Sequence, residues 1–254
     1  MPIAPVFPGP STGGDSGASF YDATFTGPIN LTDGTWTLND PDSLIQSITY
    51  SAGVHTVTWN TLAAGSVNYR WDSGSTHRGP RWYKAAELEG TQLTSDDVVQ
   101  SVFYAKTDNV NRGDFDSQMV HGICVDPTST AEGTIAGMGL FSSAQSSGSN
   151  TFLGIWTVNG AASTSTSGSA RCMTTNQYGG RHVGSGCFTI LDASGFRTQN
   201  GSRNGNVVIS SGANLHWIVG LGTRTNSTTI TSGDESQRFS LWRKAVKMDL
   251  SGVL

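Results

Sequence analysis

The segment Tyr69–Lys84 holds the most unusual mixture of side chains in this chain, because aromatic and basic residues alternate within it. Aromatic faces pack on the apolar faces of sugar rings while arginine supplies hydrogen-bond donors, and the same residue types concentrate binding energy at protein interfaces. The predicted binding residues are Tyr69, Trp71, Arg78, Arg81, Trp82 and Tyr83. Three interpretations stay open: a protein interface, a glycan site, or a loop whose aromatic rings cap a hydrophobic core.

A second polar cluster has residue types that suit calcium. The stretch DNVNRGDFD supplies carboxylate and amide oxygens, which hard cations prefer. Its candidate ligands are Asp108, Asn109, Asn111, Asp114 and Asp116. The stretch lacks the D-x-[DN]-x-[DN]-G order of a calcium-binding loop, so a solvated turn built on Asx side chains is the alternative.

The remaining polar residues do not form a known catalytic or metal pattern. Cys172, His182 and Cys187 are spaced as C-x9-H-x4-C, which matches no common zinc site and lacks a fourth ligand. No G-x-S-x-G nucleophile elbow occurs. We therefore predict no catalysis, no metal other than calcium at the candidate ligands above, and no other cofactor.

Short apolar runs alternate with Gly/Ser/Thr/Asn clusters from Asp97 to the C-terminus. Runs of strand length and period 2, with no helical stretches between them, are typical of an antiparallel all-β sandwich or barrel. The predicted strands are Val98–Lys106, Gln118–Val125, Ile135–Phe141, Thr151–Val158, Cys187–Leu191, Asn206–Ile209, His216–Gly222 and Phe239–Met248.

The part of the chain before Asp97 adds further strands and one helix-like stretch. The predicted strands are Phe20–Phe25, Trp36–Leu38, Ser47–Tyr50, His55–Asn60 and Trp82–Ala86, with a hairpin turn at Ser51-Ala52-Gly53. His55, Val57 and Trp59 alternate with Val54, Thr56 and Thr58, which predicts a strand with one buried face. The helix-like stretch is Ala85–Leu93.

Residues 1–19 form a Pro/Gly-rich segment that we predict to be an extended arm. Four prolines favour a polyproline-like path, and Ile3, Val6 and Phe7 supply apolar anchors for a neighbouring subunit. A disordered tail is the alternative. The expected organisation is this arm followed by one β-sandwich over 20–254, with N-terminal strands and the aromatic loop in 20–97 and a jelly-roll core in 98–250.

Composition excludes two classes of partner. The net charge is −4 and the pI is about 5.6, so there is no electrostatic footprint for nucleic acid. No apolar stretch approaches the ~20 residues of a membrane span. The N-terminus has no basic region followed by an apolar run, so no signal peptide is expected, and the three cysteines fit synthesis in a reducing cytoplasm.

From Val98 to Met248 the order of strands resembles the concanavalin-A-like, laminin-G-like jelly roll. The runs that carry the resemblance are SVFYAK, QMVHGICV, IAGMGLF, TFLGIWTV and the closing pair LHWIVGLGT and RFSLWRKAV. The resemblance implies an antiparallel jelly-roll β-sandwich. The family contains lectins, glycoside hydrolases, polysaccharide lyases and structural modules of tailed-phage virions.

The catalytic motifs of that family do not carry over to this chain. Its laminarinase-like hydrolases have an E-x-D-x-x-E strand, which is absent here. Its alginate-lyase-like members have a Q-[IV]-H strand, and the nearest match, Gln118-Met119-Val120-His121, has one extra residue. That insertion is expected to turn His121 to the sheet face opposite Gln118.

The features together resemble a structural protein of a tailed-phage virion, in the capsid decoration or the tail and fibre apparatus. The implied protein is a non-catalytic homo-oligomer that is made in the host cytoplasm and assembles with copies of itself and other virion proteins. Contact with a surface polysaccharide is a further expectation. The first alternative is a soluble, lectin-like carbohydrate-binding module. The second is a polysaccharide lyase or hydrolase, for which His121 would be the first residue to test.

Overall fold

The computed structural model describes strands and turns in the part of the chain that it covers. The described residues are 28–63, 65, 68–69, 79–95, 97, 99–109, 115–129, 136–144, 151–159, 162–163, 175–178, 181–185, 189–192, 195–198, 212–225, 229 and 236–247. Over these ranges every regular element is a strand. The same residues contain no helix long and apolar enough to cross a membrane.

Eighteen strands follow one another along the described residues. The first nine are β1 (Thr37–Asn39), β2 (Ile45–Ser51), β3 (Val54–Trp59), β4 (Asn68–Tyr69), β5 (Arg81–Ala85), β6 (Glu87–Leu88), β7 (Thr91–Gln92), β8 (Val99–Asn109) and β9 (Phe115–Val125). The others are β10 (Ala136–Ala144), β11 (Thr151–Asn159), β12 (Ala162–Ser163), β13 (Thr175–Tyr178), β14 (Arg181–Ser185), β15 (Thr189–Asp192), β16 (Gly195–Thr198), β17 (His216–Thr225) and β18 (Ser236–Lys247).

The strands form two large antiparallel sheets. One has the order β1-β5-β17-β9-β10-β11-β12, with β4 also paired to β17. The other has the order β13-β14-β8-β18-β3-β2, with β15 and β16 joined to it through β8. In each sheet a strand from the first 100 residues pairs with a strand from the last 40, as β5 does with β17 and β3 does with β18.

The two sheets pack face to face through apolar side chains. Phe103 on β8 meets the ring of Trp217 on β17 edge-on, with 6.3 Å between centroids, so residues of opposite sheets interdigitate. The core shared by the sheets includes Val57, Trp59, Trp82, Phe103, Met119, Ile123, Trp217, Val219, Leu221, Phe239 and Leu241. The predicted all-β, antiparallel sandwich is confirmed. The predicted arm, with Ile3, Val6 and Phe7, lies outside the described residues.

The hairpin between β2 and β3 is the predicted turn at Ser51-Ala52-Gly53. Ala52 and Gly53 both have left-handed backbone conformations, with φ of 50° and 81°. This pair of conformations matches the right-handed twist of the flanking strands in a two-residue hairpin. In β3, His55, Val57 and Trp59 are buried while the residues between them are half-buried, which confirms the predicted alternation.

Replacing Gly53 by alanine should destabilise the fold more than the same change at Gly34. Both glycines have positive φ, which costs about 1–2 kcal/mol for a residue with a Cβ. At Gly53 the new Cβ would also lie 2.8 Å from Pro28 Cγ, whereas at Gly34 it would meet no atom within 4 Å. Urea unfolding of the two variants measures the difference. Equal losses would show that Pro28 does not pack against this turn.

The helix-like interpretation of residues 85–93 is wrong, because the stretch folds as a small hairpin of β6 and β7. Glu89 and Gly90 form its turn with φ of 52° and 77°, conformations that end a helix and close a two-residue hairpin. The Gln92 side-chain amide then donates to three backbone carbonyls, those of Ala86, Leu93 and Leu215, at 2.8–3.2 Å. These tertiary hydrogen bonds favour the hairpin over the helix.

Candidate functional site

A cleft opens where β5, β17 and β18 come together beside the β6–β7 hairpin. It has a volume of about 430 Å³ and is lined by Thr35, Lys84, Ala85, Glu87, Gly90, Trp217 and Arg243. Trp36 adds its ring, because both cations of the cleft lie over it. We refer to this group of residues as the cleft.

Strand alternation places Arg243 in the cleft. Phe239 and Leu241 fill the core from β18, so the next residue of the same parity also points between the sheets. The Arg243 guanidinium carbon lies 3.9 Å from the centroid of the Trp217 ring and 5.9 Å from that of Trp36. A cation at this distance from an indole face is attracted by the ring quadrupole.

Lys84 is placed on β5 by the same alternation, two residues after the buried Trp82. Its ammonium lies 5.0 Å from the centroid of the Trp36 ring, and Lys84 Nζ donates to Thr35 Oγ1 at 3.4 Å. The Thr35 hydroxyl donates in turn to Asp33 Oδ1 at 2.7 Å. A short chain of hydrogen bonds therefore holds one wall of the cleft.

The cleft shifts the pKa values of both cations downward. Burial lowers the pKa of Arg243 to about 9. Burial also lowers the pKa of Lys84, and the positive charge of Arg243 lowers it further, while Asp33 and Glu87 act in the opposite direction. Desolvation disfavours a charged group unless a partner of opposite charge compensates it. Burial in the cleft therefore disfavours the charged forms of both side chains.

Part of the predicted binding segment Tyr69–Lys84 is buried in the protein, and part of it lies outside the described residues. Trp82 is 2% exposed and Arg81 is fully buried. Both side chains are therefore placed as expected for a segment whose residues cap the core. Arg81 Nη1 donates to the Ser129 carbonyl at 2.9 Å, and burial lowers the pKa of Arg81 to about 10. Tyr83 is half-buried, with its ring 6.0 Å from that of His216.

The remaining predicted binding residues are Tyr69, Trp71 and Arg78, and the structure describes only the backbone of Tyr69. Tyr69 is described only as a strand residue of β4, opposite Thr223. Trp71 and Arg78 lie outside the described residues. A binding role for these residues therefore stays a prediction.

The calcium candidates are divided in the same way. Asp108 and Asn109 end β8, and Asp116 lies near the start of β9, whereas Asn111 and Asp114 lie outside the described residues. Within the described part of the chain no group of three His, Cys, Asp or Glu residues could hold a metal. Calcium binding stays a prediction.

Gln118 and His121 do not share a face of β9. The register of β9 with β10 and β17 runs without a shift through both residues, so side chains three apart point in opposite directions. His121 packs between the sheets against Phe103, with 5.1 Å between ring centroids. The expected reversal of His121 relative to Gln118 is confirmed.

Sequence reasoning missed the cleft, although one signal for it was present. Arg243 interrupts the apolar face Phe239–Leu241 of a strand, and a charged residue in that position is uncommon unless it is paired. Trp36, Lys84 and Trp217 carry no such signal, because they come together only when β1, which begins directly after Trp36, pairs with β5 and β5 pairs with β17.

Comparisons with known proteins give distant structural likenesses. No protein-family model and no curated protein matches the chain. Among solved structures, the CBM2 module of the evolved Dit of Lactobacillus casei BL23 phage J-1 is similar at 12% identity and a TM-score of 0.41, over 86% of this chain and 93% of that one. Alginate lyase AlgAT5, of polysaccharide lyase family 7, is similar at 10% identity and a TM-score of 0.36, over 85% and 95%.

Proposed function

We propose that this chain is a non-catalytic structural protein of a tailed-phage particle that contacts a saccharide through the cleft. The cleft itself is the observation that carries the binding role. Its volume of about 430 Å³ falls within the ~300–1,000 Å³ of small-molecule sites. Indole rings, a hydroxyl and two cationic donors converge on it.

The polar groups of the cleft suit a ligand rich in hydroxyl groups. Arg243 and Lys84 carry several N–H donors, Thr35 offers a hydroxyl, and Glu87 offers acceptor oxygens. The planar guanidinium of Arg243 is backed by an indole ring, which restricts its orientation. Oriented donors beside apolar rings provide the combination that sugar recognition needs.

The arrangement of β9 supports a role without catalysis. A lyase-like pair would need Gln118 and His121 on one sheet face, and they lie on opposite faces. His121 is fully buried in the core, where a polysaccharide chain cannot reach it. A buried nitrogen base of this kind cannot serve as a general base for a bound sugar, because it must lie within hydrogen-bond reach of the proton.

The place in a virion is supported by the sequence. Low charge, the Pro-rich segment 1–19 and the resemblance to a family with tailed-phage modules all favour assembly with copies of itself and with other virion proteins. Ile3, Val6 and Phe7 would anchor the arm on a neighbour. Mass spectrometry of purified particles tests this location. A soluble lectin-like module is the alternative, and light scattering that found only a monomer would favour it.

Saccharide binding through the cleft should depend on Lys84. Calorimetric titration of a panel of neutral and acidic oligosaccharides should find at least one ligand, and Lys84→Ala should weaken its binding by about tenfold, the loss expected when a charged donor is removed. Lys247→Ala is the matched control, because this exposed lysine pairs with Asp97 away from the cleft. A panel without any ligand, or a Lys84→Ala variant that binds normally, would contradict the proposal.

A further inference from the structure

The two cations of the cleft are not compensated to the same degree. Lys84 and Arg243 contribute two positive charges, and Glu87 is the one carboxylate among the residues that line the cleft in the described structure. Asp33 and Glu87 both offset the charge of Lys84 and act to raise its pKa, whereas among the described residues burial alone acts on the pKa of Arg243. The positive charge that the described carboxylates leave uncompensated is therefore that of Arg243.

Arg243 is the less compensated of the two cations. Its Nη1 is buried and has no hydrogen-bond acceptor among the described residues. Its contacts are with the faces of Trp217 and Trp36, which do not accept the in-plane donors of a guanidinium. By contrast, Lys247, four residues further along β18, pairs with Asp97 at 2.5 Å. The cleft therefore holds Arg243 with an N–H donor for which the described residues supply no acceptor.

A purely structural role explains Arg243 poorly. A desolvated cation without a carboxylate is costly, and apolar side chains of similar size often replace buried charges at no loss of stability. Methionine could fill the space over Trp217 without that cost. An anion supplied by a ligand would use both the charge and the free donor.

We propose that the cleft binds the acidic group of a saccharide, a carboxylate, sulfate or phosphate, between Arg243 and Lys84. This inference rests on the proposed function and names the class of ligand. The Arg243 fork suits two oxygens of one acidic group, and Lys84 adds a point charge from the opposite wall. Glu87 is then left to contact hydroxyl groups of the same sugar, and the Thr35 hydroxyl, which donates to Asp33 and accepts from Lys84, can accept one further hydrogen bond.

The test compares an acidic oligosaccharide with its neutral counterpart. Trigalacturonate should bind the full chain at least about tenfold more tightly than the trisaccharide whose carboxyl groups have been reduced to alcohols. Arg243→Met should remove most of that preference, Arg243→Lys should retain part of it, and Lys247→Met should bind as the native protein does. A phosphate-bearing and a sulfate-bearing oligosaccharide distinguish the acidic groups, and inorganic sulfate should compete with each ligand that binds.

Each outcome supports or overturns the inference separately from the proposed function. Equal binding of neutral and acidic oligosaccharides, with loss on Lys84→Ala, would overturn the acidic preference but retain the saccharide site. Binding of inorganic sulfate alone would keep the anion site and overturn the saccharide role. Failure of every acidic probe, or an unchanged preference in Arg243→Met, would overturn the inference. If Arg243→Met does not fold, Lys84→Met provides the same comparison.

Discussion

Trp82→Ala is expected to lower the free energy of unfolding by about 3–5 kcal/mol, as large aromatic truncations in a core do. Trp82 is 2% exposed and belongs to the core between the sheets. Its removal would leave a cavity that the neighbouring strands can fill only in part. Urea denaturation at equilibrium measures the loss.

The matched control for Trp82 is Leu38→Ala on the neighbouring strand. Leu38 lies directly opposite Trp82 in the register of β1 and β5, but it is 42% exposed. Its truncation should cost under about 1 kcal/mol, as expected for a surface position. If Trp82→Ala unfolds at the same urea concentration as the native chain, Trp82 is not in the core, and its role as a surface binding residue regains support.

Acidification should destabilise the fold through His55. His55 is fully buried, its Nε2 accepts a hydrogen bond from the Leu31 backbone N–H at 3.0 Å, and its ring is stacked on that of Phe239 at 4.9 Å. Burial lowers the pKa of His55 to about 4, and the Phe239 backbone opposes this in part. The folded state therefore keeps the imidazole neutral at a pH where the unfolded chain protonates it.

The direction and size of the His55 effect follow from that difference in pKa. Above pH ~6.5 both states are neutral and the effect is absent. Stability is lost as the pH falls from ~6.5 to ~4, to a total of about 3 kcal/mol, and the loss levels off below pH ~4. His55→Gln keeps an acceptor that does not titrate. The stability difference between native and variant should therefore shrink across this range, and parallel pH profiles would contradict the prediction.

The fold was largely predictable because its strands obey simple periodicity. In β3 alternate residues are buried, and the turn at Ala52-Gly53 has the conformations that a two-residue hairpin requires. Residues 85–93 were not predictable in the same way. Their local propensity favours a helix, but the hydrogen bonds of Gln92 to distant carbonyls favour the hairpin, and these depend on tertiary structure.

The candidate site was less predictable than the fold. Local composition predicts a binding segment at Tyr69–Lys84, but composition does not indicate which face of a strand is buried. Trp82 and Arg81 on β5 point to opposite faces, and both are buried. The cleft depends instead on Arg243 in one sheet meeting Trp217 in the other. Trp36, Lys84, Trp217 and Arg243 are far apart in sequence, and they meet through the strand order of one sheet together with the packing of the other sheet against it.

The most direct test of saccharide binding is an NMR titration of the indole N–H signals. The chain has seven tryptophans, which Trp→Phe variants would assign. The tightest-binding oligosaccharide of the panel should shift the signals of Trp36 and Trp217, which border the cleft, and leave those of Trp59 and Trp82 in the core unchanged. Saturable binding that shifted neither Trp36 nor Trp217 would contradict a saccharide site in the cleft.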